Sequence, residues 1–180
     1  MEFRVIHSEV IFQGKVFNVR LDQIGYPDGR QSRMDIVEHR SSVTIIAIDD
    51  QDLIWFVKQI RVPVGEWLLE LPAGVMETSE SSADTAQREI REEIGMAAQS
   101  LQQIGEFYLA PGYCTEKMYI FLARDLYPAP LDKDPDEYMS VEKIPVETAI
   151  EYAKNGEIKD AKTLAALLLV QRYLKRGSAA

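Results

Sequence analysis

Three carboxylates crowd one short stretch of this chain, Glu89, Glu92 and Glu93, with Glu80 a little upstream. On a helix, spacings of three and four residues put side chains on or beside one face, so these acids crowd one another. A like-charge pair at that spacing costs a helix roughly 0.2–0.5 kcal/mol, and Arg88 and Arg91 offset part of it. A solvated, salt-bridged helix face is the plain explanation of such a pattern. What precedes the helix argues for more: Pro72-Ala73-Gly74 has small side chains, so its backbone can approach a ligand closely or offer a bare carbonyl oxygen. Carboxylates together with a carbonyl oxygen are hard donors of the kind that select Mg²⁺, or Mn²⁺, over softer metals. The chemistry in view is that of a hard divalent cation.

The spacing is more specific than the composition. Gly74 is followed by five residues and Glu80, then by seven residues and Arg88-Glu89-Ile90, then by Glu92-Glu93 and Gly95-Met96, each after one intervening residue. Seven fixed residue types at typical usage would coincide by chance on the order of 10⁻⁸ per starting point. The segment resembles the Nudix box at every fixed position, and the family resemblance implies roles residue by residue. Glu89 and Glu93 are expected to bind the metals, with Glu92 as a further ligand or a neighbour acting through water, and the backbone carbonyl of Ala73 as an additional ligand. Arg88 is expected to pair with the box carboxylates and orient them for catalysis, and Glu80 to support the loop and helix.

Pro111 is the fifteenth residue after Met96, and Pro111-Gly112-Tyr113-Cys114-Thr115-Glu116 resembles the loop of the ADP-ribose pyrophosphatase subgroup. Without the box it would read as a plain turn. Glu38-His39-Arg40, Val57-Lys58-Gln59-Ile60-Arg61, Glu70-Leu71-Pro72-Ala73-Gly74 and Asp160-Ala161-Lys162-Thr163 extend the similarity over most of the chain. The resemblance implies that Arg61 lies near the adenosine-diphosphate portion of the substrate and Glu116 near a ribose, each also explicable as an ordinary surface or loop residue. It places a catalytic carboxylate in the acidic run Asp132-Lys133-Asp134-Pro135-Asp136-Glu137. Glu137 aligns best with the base, but Pro135 stands where relatives often have an acid, so Asp134, Asp136 and Glu92 remain candidates.

The implied reaction is Mg²⁺-dependent hydrolysis of the diphosphate bond of a nucleoside diphosphate derivative, ADP-ribose foremost, to AMP and ribose 5-phosphate. NADH, GDP-mannose or a dinucleoside polyphosphate are the alternative substrates, and a non-catalytic nucleotide sensor is the alternative function. The resemblance also implies a homodimer whose amino-terminal arm is exchanged between subunits, with Phe17 or Tyr26 available to stack on adenine; packing within the arm is the rival role for both.

The elements that must position these residues can be read in outline. Val10 to Phe12, Val16 to Ile24 and Arg33 to Glu38, broken at Gln13-Gly14 and Pro27-Asp28-Gly29, predict a small antiparallel sheet. Strands are expected at 43–48, 53–57, 67–71, 105–109 and 117–123. Ser81 can cap a helix over 81–94 that Gly95 ends, with Ala83, Ala86, Ile90 and Ile94 as its apolar stripe. Further helices are expected over 145–154 and 160–174, the last buried because Leu164 to Val170 is apolar nearly all round. The fold class is therefore α/β in the broad α+β sense, with a mixed sheet, and the resemblance implies a Nudix-type α/β/α sandwich. Residues 1–40 would form an amino-terminal β arm and 41–180 the main domain.

Composition sets the outer bounds. The 180 residues, 46% of them hydrophobic, suffice for one sizeable core. A formal net charge of −9 repels a nucleic-acid backbone, so no nucleic-acid partner is expected, and the small nucleotide that the resemblance implies would meet the protein through cations. Charges at Glu2, Arg4 and Glu9 argue against a signal peptide, and Leu164 to Val170 falls well short of the ~20 residues that span a bilayer, so no membrane partner and a cytoplasmic location are expected. A single cysteine, Cys114, fits a reducing compartment and reads as a packing residue.

Overall fold

The structure is a computed structural model that describes residues 2–132 and 138–174. It contains ten strands and three helices in the order β1 (Arg4–Gln13), β2 (Asn18–Gly25), β3 (Gln31–Glu38), β4 (Ser42–Ile48), β5 (Leu53–Arg61), β6 (Glu66–Glu70), β7 (Ala73–Val75), α1 (Ser82–Glu93), β8 (Met96–Tyr108), β9 (Lys117–Pro128), β10 (Met139–Pro145), α2 (Val146–Asn155) and α3 (Ala161–Val170) among the described residues. The chain divides into two units by its internal contacts, residues 1–41 with 107–117, and residues 42–106 with 118–180.

In the first unit β1, β2 and β3 form an antiparallel sheet in that order. The turn between β2 and β3 is closed by Tyr26 N–H donating to the Arg30 carbonyl (2.9 Å), and Gly29 takes the left-handed conformation there (φ 85°). Asp22 is buried between Ser8, which donates to it at 2.6 Å, and Arg20 at 3.0 Å. The segment 107–117, distant in sequence, joins this unit through β3: Val37 N–H donates to the Tyr113 carbonyl (2.7 Å), and Thr115 N–H to that of Val37 (3.0 Å).

The second unit is built on a mixed sheet with the order β10-β5-β4-β9-β8; β6 also pairs with β5 and β7 with β4. β4 runs parallel to β9 and antiparallel to β5. Every residue of β4 is buried, as a strand covered on both faces must be, and α1 and α3 both pack on it. Side chains alternate along the strand, so Val43, Ile45 and Ala47 share one apolar cluster with Ala86 and Ile90 of α1 and Ile94 at its C-cap, while Thr44, Ile46 and Ile48 point to the other face. This is the expected α/β arrangement of a mixed sheet accompanied by a separate antiparallel sheet.

Several local expectations are corrected. Ala83 is exposed and does not belong to the buried stripe of α1; Thr85, Glu89 and Glu93 take buried places beside Ala86 and Ile90. An apolar stripe read from residue type alone overlooks carboxylates turned inward. α3 ends at Val170, not 174, and Leu168 is 69% exposed, so that helix is buried on one side only. β7 and β10 were not foreseen, because Ala73-Gly74-Val75 is too short and the segment Met139–Pro145 too polar to show a strand pattern. β5, β8 and β9 extend beyond the apolar runs that predict them. No helix among the described residues is long and apolar enough to cross a membrane.

Candidate functional site

Helix α1 is started by a reciprocal cap. Ser81 Oγ accepts from Asp84 N–H (3.2 Å), and the Asp84 carboxylate accepts from Ser81 N–H (3.3 Å). At its other end Gly95 takes φ 73°, ending the helix after Glu93 and Ile94. With its ends set, the helix turns Glu89 and Glu93 inward toward the strand that precedes it. β7 is held against β4, Thr44 pairing with Ala73 and Val43 with Gly74. Gly74 lies so close beneath the Glu89 carboxylate that a Cβ there would overlap it. Any side chain there would have to displace the Glu89 carboxylate, which gives the first residue of the motif a steric reason.

Glu93, 2% exposed, accepts from Ala73 N–H at 3.0 Å. Arg88 organises the remaining acids. Its Nε and Nη2 donate to the two oxygens of Glu80 (2.8 and 3.0 Å), Nη1 donates to Glu89 (2.7 Å) and Glu92 (2.9 Å), and Nη2 also reaches the Val75 carbonyl (3.3 Å). A guanidinium has five N–H donors, and these five bonds engage all of them. Arg88 thus ties β7, the loop acid Glu80 and two helix acids into one cluster, with no donor left for a ligand. Its hydrogen bonds to Glu80, against the opposing effect of burial, raise its pKa further above the ordinary arginine value. The Arg88 guanidinium holds Glu80 down to about 2, burial opposing and the Thr85 hydroxyl helping (2.9 Å).

Among the described residues no three His, Cys, Asp or Glu side chains are grouped as a ready-made metal cage. The candidate donors are nonetheless all oxygen: Arg88 holds the Glu89 and Glu92 carboxylates, and that of Glu93 lies on the Ala73 backbone. That set suits a hard divalent cation, and the room above Gly74 lets one carboxylate lie against the backbone. Glu137, Asp134 and Asp136 lie outside the described residues.

Arg61 ends β5 and is half-exposed. Its Nε and Nη2 donate side-on to the two oxygens of Glu70, both at 2.6 Å. Glu70 is fully buried; burial pushes its carboxyl up, but Arg61 and Lys162 pull it below the ordinary carboxylate range. The Arg61 pKa is raised by its hydrogen bonds to Glu70 against the opposing effect of burial, with smaller contributions from the charges of Asp160 and Glu93. Glu70, Lys162 and Thr163 received no role from sequence. Their only signal was membership of two resemblance motifs far apart in the chain, and nothing in either motif says that the two meet.

Pro111 and Glu116 belong to the first unit. Pro111 is exposed at the start of its turn, where Tyr113 and Cys114 N–H both donate to the Ala110 carbonyl (3.1 and 2.8 Å). Glu116 is 3.7 Å from His39 Nδ1. Thr115 Oγ1 donates to the His39 carbonyl (3.0 Å) and accepts from His39 N–H (2.9 Å), so the Glu38-His39-Arg40 segment holds the loop that carries Glu116. Cys114 is half-buried and bridges Val37. In the arm, the Phe17 ring lies 6.2 Å from that of Phe12, and Tyr26 donates or accepts with Ser32 at 3.0 Å.

Residues 38–168 match the NUDIX domain. An ADP-ribose pyrophosphatase of Bacillus subtilis (strain 168) is 35% identical, over 95% of this chain and 94% of that protein. An ADP-ribose pyrophosphatase of Mycobacterium tuberculosis (strain ATCC 25618 / H37Rv) is 34% identical, over 94% and 83% respectively. A crystal structure of ADP compounds hydrolase superposes with a TM-score of 0.88 at 25% identity, covering 97% of this chain and 95% of that one. The box whose spacing is complete, whose glycine leaves room for the Glu89 carboxylate and whose arginine is fully engaged therefore sits in a matching domain and fold, and the chain belongs to the Nudix family of hydrolases.

Proposed function

We propose that this Nudix pyrophosphohydrolase acts on ADP-ribose, adding water across the diphosphate to give AMP and ribose 5-phosphate. The observation that carries the reading is the packing of Glu89 and Glu93 against the Gly74 and Ala73 backbone, an all-oxygen site at the foot of α1. The similarity to two ADP-ribose pyrophosphatases over nearly the whole chain supports the choice of substrate, as does Pro111 at its offset from the box.

Nudix membership implies a divalent metal, and we assign Mg²⁺, with Mn²⁺ as a substitute. Bound there, the cation would neutralise the diphosphate's charge and make water more acidic. Glu89, Glu93, Glu92 and the Ala73 carbonyl are the assigned ligands. Arg88, its donors all engaged by the protein, orients Glu89 and Glu92 and does not contact substrate. Arg61 has donors left over after pairing with Glu70 and is assigned to the substrate's diphosphate, with Glu116 assigned to a ribose. Glu137 is the assigned base, taking the proton of the attacking water as the new P–O bond forms and the bridging P–O bond breaks.

The homodimer is part of the same reading. β1 is exposed along its whole length and carries Val5, Ile6, Val10, Ile11 and Phe12 at the edge of a sheet. A long apolar edge strand is a surface for pairing with another chain, and a second copy of this chain is the assigned occupant. A cytoplasmic location accords with the single cysteine.

The test is a product analysis by chromatography with Mg²⁺, offering ADP-ribose, NADH, GDP-mannose and a dinucleoside polyphosphate separately, each with an EDTA control. Preferential, EDTA-sensitive release of AMP and ribose 5-phosphate from ADP-ribose supports the reading. Preference for another substrate overturns the ADP-ribose assignment, and tight binding without turnover in Mg²⁺ points to a sensor.

A further inference from the structure

The start of α3 and the end of β6 are joined by a chain of hydrogen bonds and ion pairs. Asp160 caps α3, accepting from Thr163 N–H (2.9 Å) and from Thr163 Oγ1 (2.6 Å). The same Thr163 hydroxyl accepts from Leu71 N–H at 2.9 Å. Lys162, 8% exposed, donates to Glu70 Oε2 and lies 3.0 Å from Asp160 Oδ1. Consecutive backbone groups on the way to the metal-side loop are anchored in turn. The Pro72 carbonyl accepts from Ile45 N–H (2.9 Å), and Ala73 N–H donates to Glu93.

We propose that Lys162 is a positioning residue for substrate binding, acting through Glu70 to fix the plane of the Arg61 guanidinium. The inference rests on the assignment of Arg61 to the substrate's diphosphate.

The geometry explains why a lysine should stand there. Glu70 is completely buried, and a buried carboxylate must have each oxygen satisfied. Arg61 meets both oxygens side-on, and Lys162 supplies a second donor to Oε2, so the carboxylate is held from two directions. With the carboxylate plane held, the side-on fork leaves the guanidinium a single orientation. The Arg61 side chain is 42% exposed against 1% for Glu70, so its inner edge is pinned and its outer donors are available to an anion. An arginine held in this way loses little conformational freedom when it meets a phosphate, and the gain appears as affinity. Lys162 also stands between two carboxylates, Glu70 and Asp160. Without its ammonium Glu70 loses one of its two cationic partners, and Arg61 alone is left to hold the carboxylate.

The experiment is a double-mutant cycle between Arg61→Ala and Lys162→Met on the full chain, with ADP-ribose and Mg²⁺. Turnover of ADP-ribose by the unaltered enzyme is established first, and thermal melts monitored by circular dichroism check folding. The expected result is that Lys162→Met raises KM about 10-fold, with kcat within about 2-fold and the Mg²⁺ concentration for half-maximal activity unchanged. Combined with Arg61→Ala, it should add almost nothing to the effect of Arg61→Ala alone, because both changes remove one function. Glu70→Gln, which keeps the side-chain shape, is the second variant and serves if Lys162→Met does not fold. It should give the same KM-specific loss and the same non-additivity. Additive effects in a folded double variant, or a loss confined to kcat, overturn the positioning role while leaving Arg61 as a substrate residue. An Arg61→Ala enzyme with an unaltered KM overturns the Arg61 assignment and the positioning role with it.

Discussion

Glu93 has two tasks that a carboxamide would separate. Its buried carboxylate accepts the Ala73 N–H, and it is an assigned metal ligand. In Glu93→Gln the amide oxygen can still accept that hydrogen bond, but the charge a hard cation requires is gone. The expected outcome is turnover lowered by a factor of about 10² or more with the fold intact, checked by steady-state kinetics at saturating Mg²⁺ beside a thermal melt. Near-normal turnover by the folded variant would remove Glu93 from the ligand set. Glu80 makes a different prediction, about stability. Its carboxyl is held down to about 2 from an ordinary 4.5 by Arg88, so it binds its proton more readily in the unfolded chain than in the folded one. Its contribution is therefore complete above about pH 4.5 and is lost as the pH falls toward 2. Denaturation of Glu80→Gln beside the unaltered protein should show a stability gap that is widest near neutrality and narrows through that acid window. A gap independent of pH would mean that the Glu80 charge contributes nothing. At this scale the box residues were legible because a fixed spacing on one helix is a local property. Glu70 and Lys162 were not, because their pairing joins positions 92 residues apart and each alone resembles a surface charge.

At the scale of elements, α1 is the part most readable from sequence, with its Ser81 cap and Gly95 stop both where residue chemistry predicts them. Local hydrogen bonding and positive φ operate over a few residues, so a sequence displays them directly. β10 stayed hidden because its pairing with β5 comes from tertiary context: Met139 to Pro145 alternates too weakly to announce a strand. The segment 107–117 likewise shows its turn in sequence but not its attachment to β3, which is made by backbone groups that carry no residue-specific signal. The cap offers a test of what α1 does for the site. Ser81→Ala removes the acceptor for Asp84 N–H and should cost about 1 kcal/mol of stability by denaturant titration. The effect on turnover should stay small, because Arg88 continues to hold Glu80, Glu89 and Glu92 in place. A large loss of activity with unchanged stability would show instead that the cap acts on the catalytic geometry.

At the scale of the molecule, the chain combines a net charge of −9 with a strand of exposed apolar residues. The charge opposes indiscriminate association, while β1 offers one restricted place for it. Replacing Ile11 and Phe12 by lysine together should shift the protein from the mass of two chains toward that of one, as read by size-exclusion chromatography with light scattering. An unchanged mass would exclude β1 from the contact, and a single-chain mass for the unaltered protein would remove the dimer assignment. If the arm is exchanged between subunits, as the family resemblance implies, β1 also makes the catalyst answerable to its own dilution. A stock held concentrated would keep its specific activity, whereas the same stock thinned for an assay would decline over minutes as partners separate and greasy edges find glass, plastic or each other. Curved progress traces and batch-to-batch scatter would then report the handling of the sample, and carrier protein in the buffer would straighten them without touching the chemistry.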